Sequence, residues 1–419
     1  MNNGDITFNF KQESSIGFLN FIGEDKSGLM YERAKKGLGV YGVKVFDFSK
    51  EDGNYLLSDS DGGMDADLFN DDGLKKRIEA RNPQQKSRKV AIFLLDVRTN
   101  KTPWNEGLPN YNGDFLGQMQ WKWFESSLRK SDASVNIIVS GLQVHPFRHP
   151  NSKDIELWSH FPSSRQRLYD AILQDNVQAP IIVSGDVHLA QFLRKDCIRT
   201  SEKENIDSII RPLVEITSSG MTHSWGTCFG CSDKLHTTWK YYPCHFLSKS
   251  LMTLAHTIFP MPDLMNSNNN REDSLESYEH GGAENARKGK QYSLELNFGE
   301  FEFDWKARKV RIRAFGKDLT IPPLLSAIYT FDQLSGEQTI PGEVVDVGLS
   351  KKYGKHVMDG NLVDGEFICI NHQGTPNPIF VKLGFTGLKL FLATALLTPF
   401  SLILFLIKKM RTRSKEKKD

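Results

Sequence analysis

Three apolar runs set the frame of the chain: VAIFLLDVR (90–98), VNIIVSGLQV (135–144) and PIIVSGDVHLA (180–190). Each is rich in β-branched residues, too short for a buried helix, and ends in polar or Gly-containing sequence, which predicts strands. Their unbroken apolar character predicts strands covered on both faces. Between them, QMQWKWFESSLRKS (118–131) and SSRQRLYDAILQ (163–174) repeat apolar residues at helical spacing. Strand–helix–strand alternation of this kind predicts a layered α/β domain. GVYGVKVFDF (39–48) reads as a further strand upstream. YSLELNFGEFEFDWKARKVRIRAFG (292–316) alternates apolar and polar residues on both sides of Lys306-Ala307-Arg308, the pattern of a hairpin that closes the domain.

Polar stretches divide these elements. Residues 51–74 hold eight acidic residues and no basic one. They read as a solvated insert or a loose calcium-binding loop, since Gly63 falls where an EF-hand would need a ligand. Residues 266–290 are polar and irregular and predict an exposed loop or a partly disordered linker. Residues 317–382 are weakly patterned and suggest a small β module or a stalk. The domain therefore runs over 1–316.

The C-terminal end is different. Leu390 to Ile407 is an uncharged stretch of 18 residues, and Lys389 can lie along it with its ammonium at the interface, extending the apolar span to 383–407. About 20 apolar residues cross a bilayer core, so the stretch reads as a membrane span, the alternative being a buried core helix. Pro399 would kink such a helix, which membranes tolerate. Residues 408–419 carry seven basic and two acidic residues and mark a cytosolic flank, which puts the main domain in the lumen or outside the cell. The opening MNNGDITFNFKQESS has no charged segment leading into an apolar core, so it does not read as a signal peptide. These two expectations conflict unless the orientation rule fails or the true beginning lies upstream.

Composition narrows the functional classes. With 419 residues, 39% hydrophobic and 25% charged, the chain can bury a large core and is not disordered overall. Its 53 Lys+Arg nearly balance 51 Asp+Glu, which excludes a strongly basic nucleic-acid binder. Five cysteines are too few for a disulfide-built scaffold, and the odd count leaves at least one outside internal pairing. Cys228 and Cys231, with Cys244 further on, suggest a zinc site or disulfides, a disulfide within this region being the better fit for a lumenal domain.

Candidate chemistry lies where the apolar runs end, because ligands in layered α/β domains sit beyond the C-terminal ends of the strands. Those ends carry Asp96 and Arg98, Gln143 and His145, and Asp186 and His188. In Ser184-Gly185-Asp186-Val187-His188, a carboxylate and an imidazole two residues apart suit a borderline divalent metal. The bland alternative is a turn Asp beside a surface His. In Glu215 to Ser224 (EITSSGMTHS) a hydroxyl-rich loop can present donors to an anion, with His223 as acid or donor, or be a plain Ser/Thr turn. Arg98 can neutralise a phosphate or pair with a surface carboxylate. His145 and His149 read as surface residues. Trp121, Trp123, Trp158 and Trp225 read as core anchors. Asn100-Lys101-Thr102 is a glycosylation sequon, usable only in a lumenal domain.

Taken in order, these motifs resemble the PhoD-like (alkaline phosphatase D-like) metallophosphatases. The matching pieces are LLDVR, LGQMQWKWFESSLRKSDASVNIIVSGLQV, ELWSHFPSSRQRL, IIVSGDVHLA, EITSSGMTHS and the late LNFG, spread over roughly residues 14–305. The resemblance implies a four-layer α/β/β/α metallophosphoesterase fold that hydrolyses phosphate mono- or diesters with divalent metal ions, a metal-activated water attacking phosphorus. It makes Asp186 and His188 candidate metal ligands and His223 a candidate catalytic group, with Arg98 and Glu215 near the substrate. The family's earlier metal motifs, a GD strand end and a WDDHD-like segment, have no counterpart here. Met1 accordingly falls inside the domain, as in an N-terminally truncated gene model or a paralog that lost half its site. The expected partners are a phosphate ester substrate and a membrane. The competing expectation is a membrane-tethered binding or scaffold protein on the same fold, catalytically impaired.

Overall fold

The computed structural model describes residues 10–49, 56–57, 87–103, 113–146, 157–200, 211–227, 250, 292–320, 322–337, 365–370, 383–384, 386–387, 389–390 and 393–394. In chain order the elements are α1 (Lys11–Ile22), α2 (Leu29–Lys35), β1 (Gly42–Asp47), β2 (Leu56–Leu57), β3 (Lys89–Leu95), α3 (Gln118–Lys130), β4 (Val135–Ser140) and α4 (Pro162–Ile172). There follow β5 (Pro180–Ser184), β6 (Ala190–Arg199), β7 (Arg211–Ser218), β8 (Tyr292–Ser293), β9 (Phe298–Asp304), β10 (Lys309–Phe315), β11 (Leu325–Thr330), α5 (Phe331–Leu334) and β12 (Phe367–Ile370). The strands and helices predicted between residues 39 and 316 are present. Their limits follow local chemistry: α4 opens on Pro162, whose fixed φ suits a first helical position, and α3 closes on Arg129 and Lys130, cations favoured at a helix C-terminus.

Nine strands form one sheet in the order β12-β6-β7-β5-β4-β3-β1-β2, with β8 paired to the start of β6. The four central strands β3, β4, β5 and β7 are parallel, and β1 and β6 flank them antiparallel. Period-2 alternation gives each strand two apolar faces. One face, with Phe93, Ile138, Ile182 and Leu213, packs under Trp121, Phe124, Leu168 and Tyr169 of α3 and α4. The other, with Ile137, Ile181, Val214 and Ile216, packs on a second sheet of three strands, β11-β10-β9, through Val310, Ile312 and Ala327.

These layers are helices, large sheet and small sheet. The outer face of the small sheet bears paired charges, Arg313 with Glu300 and Glu302, and Arg311 with Glu302. Such a face offers water a salt-bridge ladder rather than an apolar bed. Among the described residues no helix covers it, so the expected fourth layer is not found there. Two strands lie beyond residue 316, where the domain was expected to end. β11 pairs with β10 over six residues, and β12 pairs with β6, where Cys197 and Cys369 form a disulfide. Both strands belong to the domain's own sheets, because only there do Leu325, Ala327, Phe367 and Cys369 become buried.

Trp121, Trp123 and Trp158 are core anchors. The Asn100 side chain donates to the Leu38 carbonyl (2.7 Å), so the amide that a glycan would need is engaged. Cys228, Cys231, Cys244, His149, the loop 266–290 and all of 51–74 except β2 lie outside the described residues. Most of 383–407 does too; the described residues between 383 and 394 are helical. Among the described residues no helix is long and apolar enough to cross a membrane.

Candidate functional site

The parallel register brings Leu95, Ser140, Ser184 and Thr217 into line at one edge of the large sheet. The loops that leave this edge carry Arg98, His145, Asp186 with His188, and His223. They lie against one another: a Cβ on Gly141 would meet Val97 at 3.4 Å, and one on Gly185 would meet the Gly141 carbonyl at 3.7 Å and Ser219 at 3.8 Å.

The turn after β5 is strained. Asp186 and His188 sit at φ 73° and 54°, in the left-handed region, around a Val187 N–H donated back to the Gly185 carbonyl (3.0 Å). That region costs an ordinary residue roughly 1–2 kcal/mol, and Asp and His enter it more readily than most. Trp225 holds the turn by donating its backbone N–H to the His188 carbonyl (3.1 Å) and its indole N–H to the Val187 carbonyl (2.9 Å). It is thus a clamp rather than a core anchor. Ser219 donates its N–H to the Leu189 carbonyl from the neighbouring strand end. The outcome is a pair of imidazoles, His188 and His223, with ring centroids 4.1 Å apart and planes inclined by 33°. The Thr222 hydroxyl lies 3.0 Å from His223 Nδ1. Asp186 and His223 are exposed and His188 is half-buried, so the pair faces solvent at the sheet's rim.

The other candidates take different places. Glu215 was expected at the substrate, but it is fully buried on β7. Its carboxylate accepts the backbone N–H groups of Val144 (2.9 Å) and His145 (2.6 Å), and burial, the largest influence on it, raises its pKa. It fixes the loop after β4 and makes no surface. His145, read as a surface residue, is 1% exposed. Its Nε2 meets the Leu213 carbonyl at 3.0 Å, which requires a proton there, and its Nδ1 meets the Tyr169 hydroxyl at 3.0 Å. Burial first, then the Lys195 charge, holds its pKa well below the usual histidine value. The sequence reading failed here because neighbouring Pro146 suggested a surface loop, whereas Glu215 and Arg165 draw the backbone inward. Arg98 is exposed on the loop after β3, two strands from β5 along the same edge. Beside it, burial and then the Arg98 charge push Lys101 down to about 8. Asp96 is buried and accepts the N–H groups of Val40, Arg98 and Thr99, so it shapes that loop.

A buried polar seam links these loops. Gln143 donates to Gln191 and Thr217, and the Thr217 hydroxyl meets that of Ser184 at 2.8 Å, one residue before the strained turn. These residues were passed over in the sequence. Their signal was there: three of the aligned strands end on a hydroxyl, Ser140, Ser184 and Thr217, on the helix side of the sheet.

The donor set tests the implied metal. His188 and His223 present two nitrogen donors side by side, with the Asp186 carboxylate on the same turn, which suits a borderline divalent ion in kind. Among the described residues no group of three or more His, Cys, Asp or Glu is assembled to hold one. The segment fits one side of such a site.

Residues 81–227 match the family model described as PhoD-like phosphatase. An alkaline phosphatase D of Bacillus subtilis (strain 168) is 28% identical over 110 residues, which are 25% of this chain and 19% of that relative. The chain thus matches only a fifth of that relative's length. A solved PhoD structure is 19% identical over 33% of this chain and 28% of its own, with a TM-score of 0.25, too low to carry an argument.

Proposed function

Starting from a PhoD-like chain that carries part of the domain, we propose that it works as a membrane-anchored hydrolase of phosphate mono- or diesters, with the 185–188 turn and His223 at its reaction centre. The observation that carries this reading is the strained turn that delivers His188 against His223 at the rim of the parallel strands. Backbone strain of this kind persists only where surrounding structure enforces it, and it clusters at active sites. Family resemblance supports phosphoesterase chemistry in general.

Arg98 would meet the phosphate oxygens, since a guanidinium matches their geometry. His223 would hold the proton that the leaving oxygen needs: as the water oxygen bonds to phosphorus and the ester P–O bond breaks, that proton moves from the imidazolium to the alcohol, while the proton the water gives up passes to solvent, from which the imidazole is reprotonated. Asp186 and His188 would be this segment's ligands for a divalent ion, with the remaining ligands outside the described residues. Such an ion, when bound, supplies Lewis acidity and a lowered pKa for a water. Glu215 would act at one remove by fixing the loop after β4.

One observation favours a second reading. A catalytic metal usually has three protein ligands, and no such group is assembled among the described residues. A membrane-tethered binding or scaffold protein on the same fold would need none.

The anchor rests on the uncharged run 390–407 and the basic residues after it. A lumenal or extracellular position for the domain is supported by the Cys197–Cys369 disulfide, a bond that persists in oxidising compartments.

Hydrolysis of p-nitrophenyl phosphate and bis-p-nitrophenyl phosphate by the full chain, with added divalent ions and after chelation, tests the hydrolase. Turnover that needs the ion and falls at least about a hundredfold in His188→Ala is the expected result. Turnover unchanged by His188→Ala removes that residue from the mechanism, and no turnover with any ion favours the scaffold.

A further inference from the structure

The loop that bears His223 is held at both ends by one short segment from seventy residues downstream. On one side of His223, the Asn297 N–H donates to the Gly220 carbonyl (3.1 Å), and Asn297 Oδ1 accepts the Ser218 hydroxyl (3.0 Å). On the other, the Leu294 carbonyl accepts both the Ser224 hydroxyl and the Gly226 N–H. Asn297 is 3% exposed, and its Nδ2 donates to the Glu295 carbonyl (2.8 Å), which closes its own turn. The fit leaves no slack. A Cβ on Gly220 would lie 2.2 Å from Asn297 Nδ2, and one on Gly226 would lie 2.3 Å from the Leu294 carbonyl oxygen. Both polar atoms of the Asn297 side chain are therefore engaged by backbone and by Ser218, behind the loop rather than at its open side.

We infer that Asn297 is a positioning residue that holds His223 against His188. An amide suits this role, because its oxygen accepts from Ser218 while its nitrogen donates to Glu295, and an ionised carboxylate of the same shape has no donor for the second bond. An exposed imidazole on a hydroxyl- and glycine-rich loop takes its place from whatever clasps the loop. Groups that orient such side chains from behind typically matter about 10–100-fold to the site they support.

The kinetic arm of the test rests on the hydrolase reading; the chemical arm does not. In the full chain, carbethoxylation by diethylpyrocarbonate, mapped by peptide mass spectrometry, reads the exposure of each histidine. Asn297→Ala is expected to speed modification of His223 and His188 several-fold while His145, deep in the core, stays unmodified. If turnover is present, kcat falls about tenfold with little change in KM, and Asn297→Asp, which keeps the acceptor for Ser218, recovers part of the loss. Gly226→Ala pushes on the same clasp from the other side and should give the same signature, which covers the case of an Asn297 variant that fails to fold. Unchanged His223 reactivity in both variants overturns the inference, as does a rise at His145 equal to that at His223, which would mark general loosening. A wild-type chain without turnover would defeat the hydrolase reading while leaving the reactivity result standing.

Discussion

Asp186 and His188 adopt a backbone conformation that only glycine enters without cost, and a side chain kept there against its preference is worth more to the protein than the strain. Asp186→Gly should therefore stabilise the fold, by about 0.5–1 kcal/mol after allowing for glycine's extra chain entropy, while the proposed hydrolysis falls. Urea unfolding reads the first effect, and a loss of stability instead would show that the turn is relaxed. His145 makes a prediction in pH. It is neutral in the fold because burial opposes its charge, and Lys195 and Arg165 oppose it further. Its folded pKa lies below the unfolded one, so its contribution is present above the unfolded value of 6.5 and is lost as pH falls through the range below it. Between pH 7.5 and 5.5 the wild type should lose about 1 kcal/mol more than His145→Gln. Glu215, 3.7 Å from His145 Nδ1, acts with the opposite sign, its raised pKa removing stability as pH rises, but it is common to both proteins. Parallel melting curves for the two proteins across this range would contradict the buried neutral imidazole. Glu215→Ala strands two buried N–H groups and should cost about 3 kcal/mol, with its effect on turnover following from a displaced loop.

Elements succeed or fail by how much surface pattern they carry. β3, β4, β5, α3 and α4 were legible because long apolar runs and helical spacing report burial directly. β11 and β12 were not. Leu325–Thr330 is short and lies beside Pro322 and Pro323, and Phe367–Ile370 has only four residues, so neither reads as a strand until β10 and β6 supply its partner. The candidate site was legible to the same degree. His188 and His223 lay in motifs at strand ends, and their meeting follows from the register of β5 with β7. The inward turn of Glu215 and His145 could not be read, because it depends on hydrogen bonds between residues about seventy positions apart. β12 shows what holds such a cryptic element. Asp170 accepts the Phe367 N–H, Gln166 donates to the Phe367 carbonyl, and the disulfide closes a separation of 172 residues. Cys369→Ser should lower stability by about 3 kcal/mol, and reductant should bring the wild type to the same value. Equal melting of oxidised and reduced wild type would show that the strand is held without the bond.

At the scale of the molecule, the described residues form a layered domain that gathers its candidate chemistry at one edge of the large sheet, and the sequence ends in an uncharged run followed by basic residues. If that run is the anchor, a chain ending at residue 382 should leave the membrane fraction while the full chain stays in it through alkaline extraction; equal partitioning of the two would remove the anchor. At the sheet's rim, a reaction centre requires His188 and His223 to act as one unit. A double-mutant cycle on kcat/KM for phosphate ester hydrolysis measures this directly. If the two imidazoles serve the same step, His188→Ala and His223→Ala should each remove most of the activity, and the double variant should fall little below the worse single one. Losses that multiply independently in the double variant would mean that the pair, though in contact, is not a reaction centre.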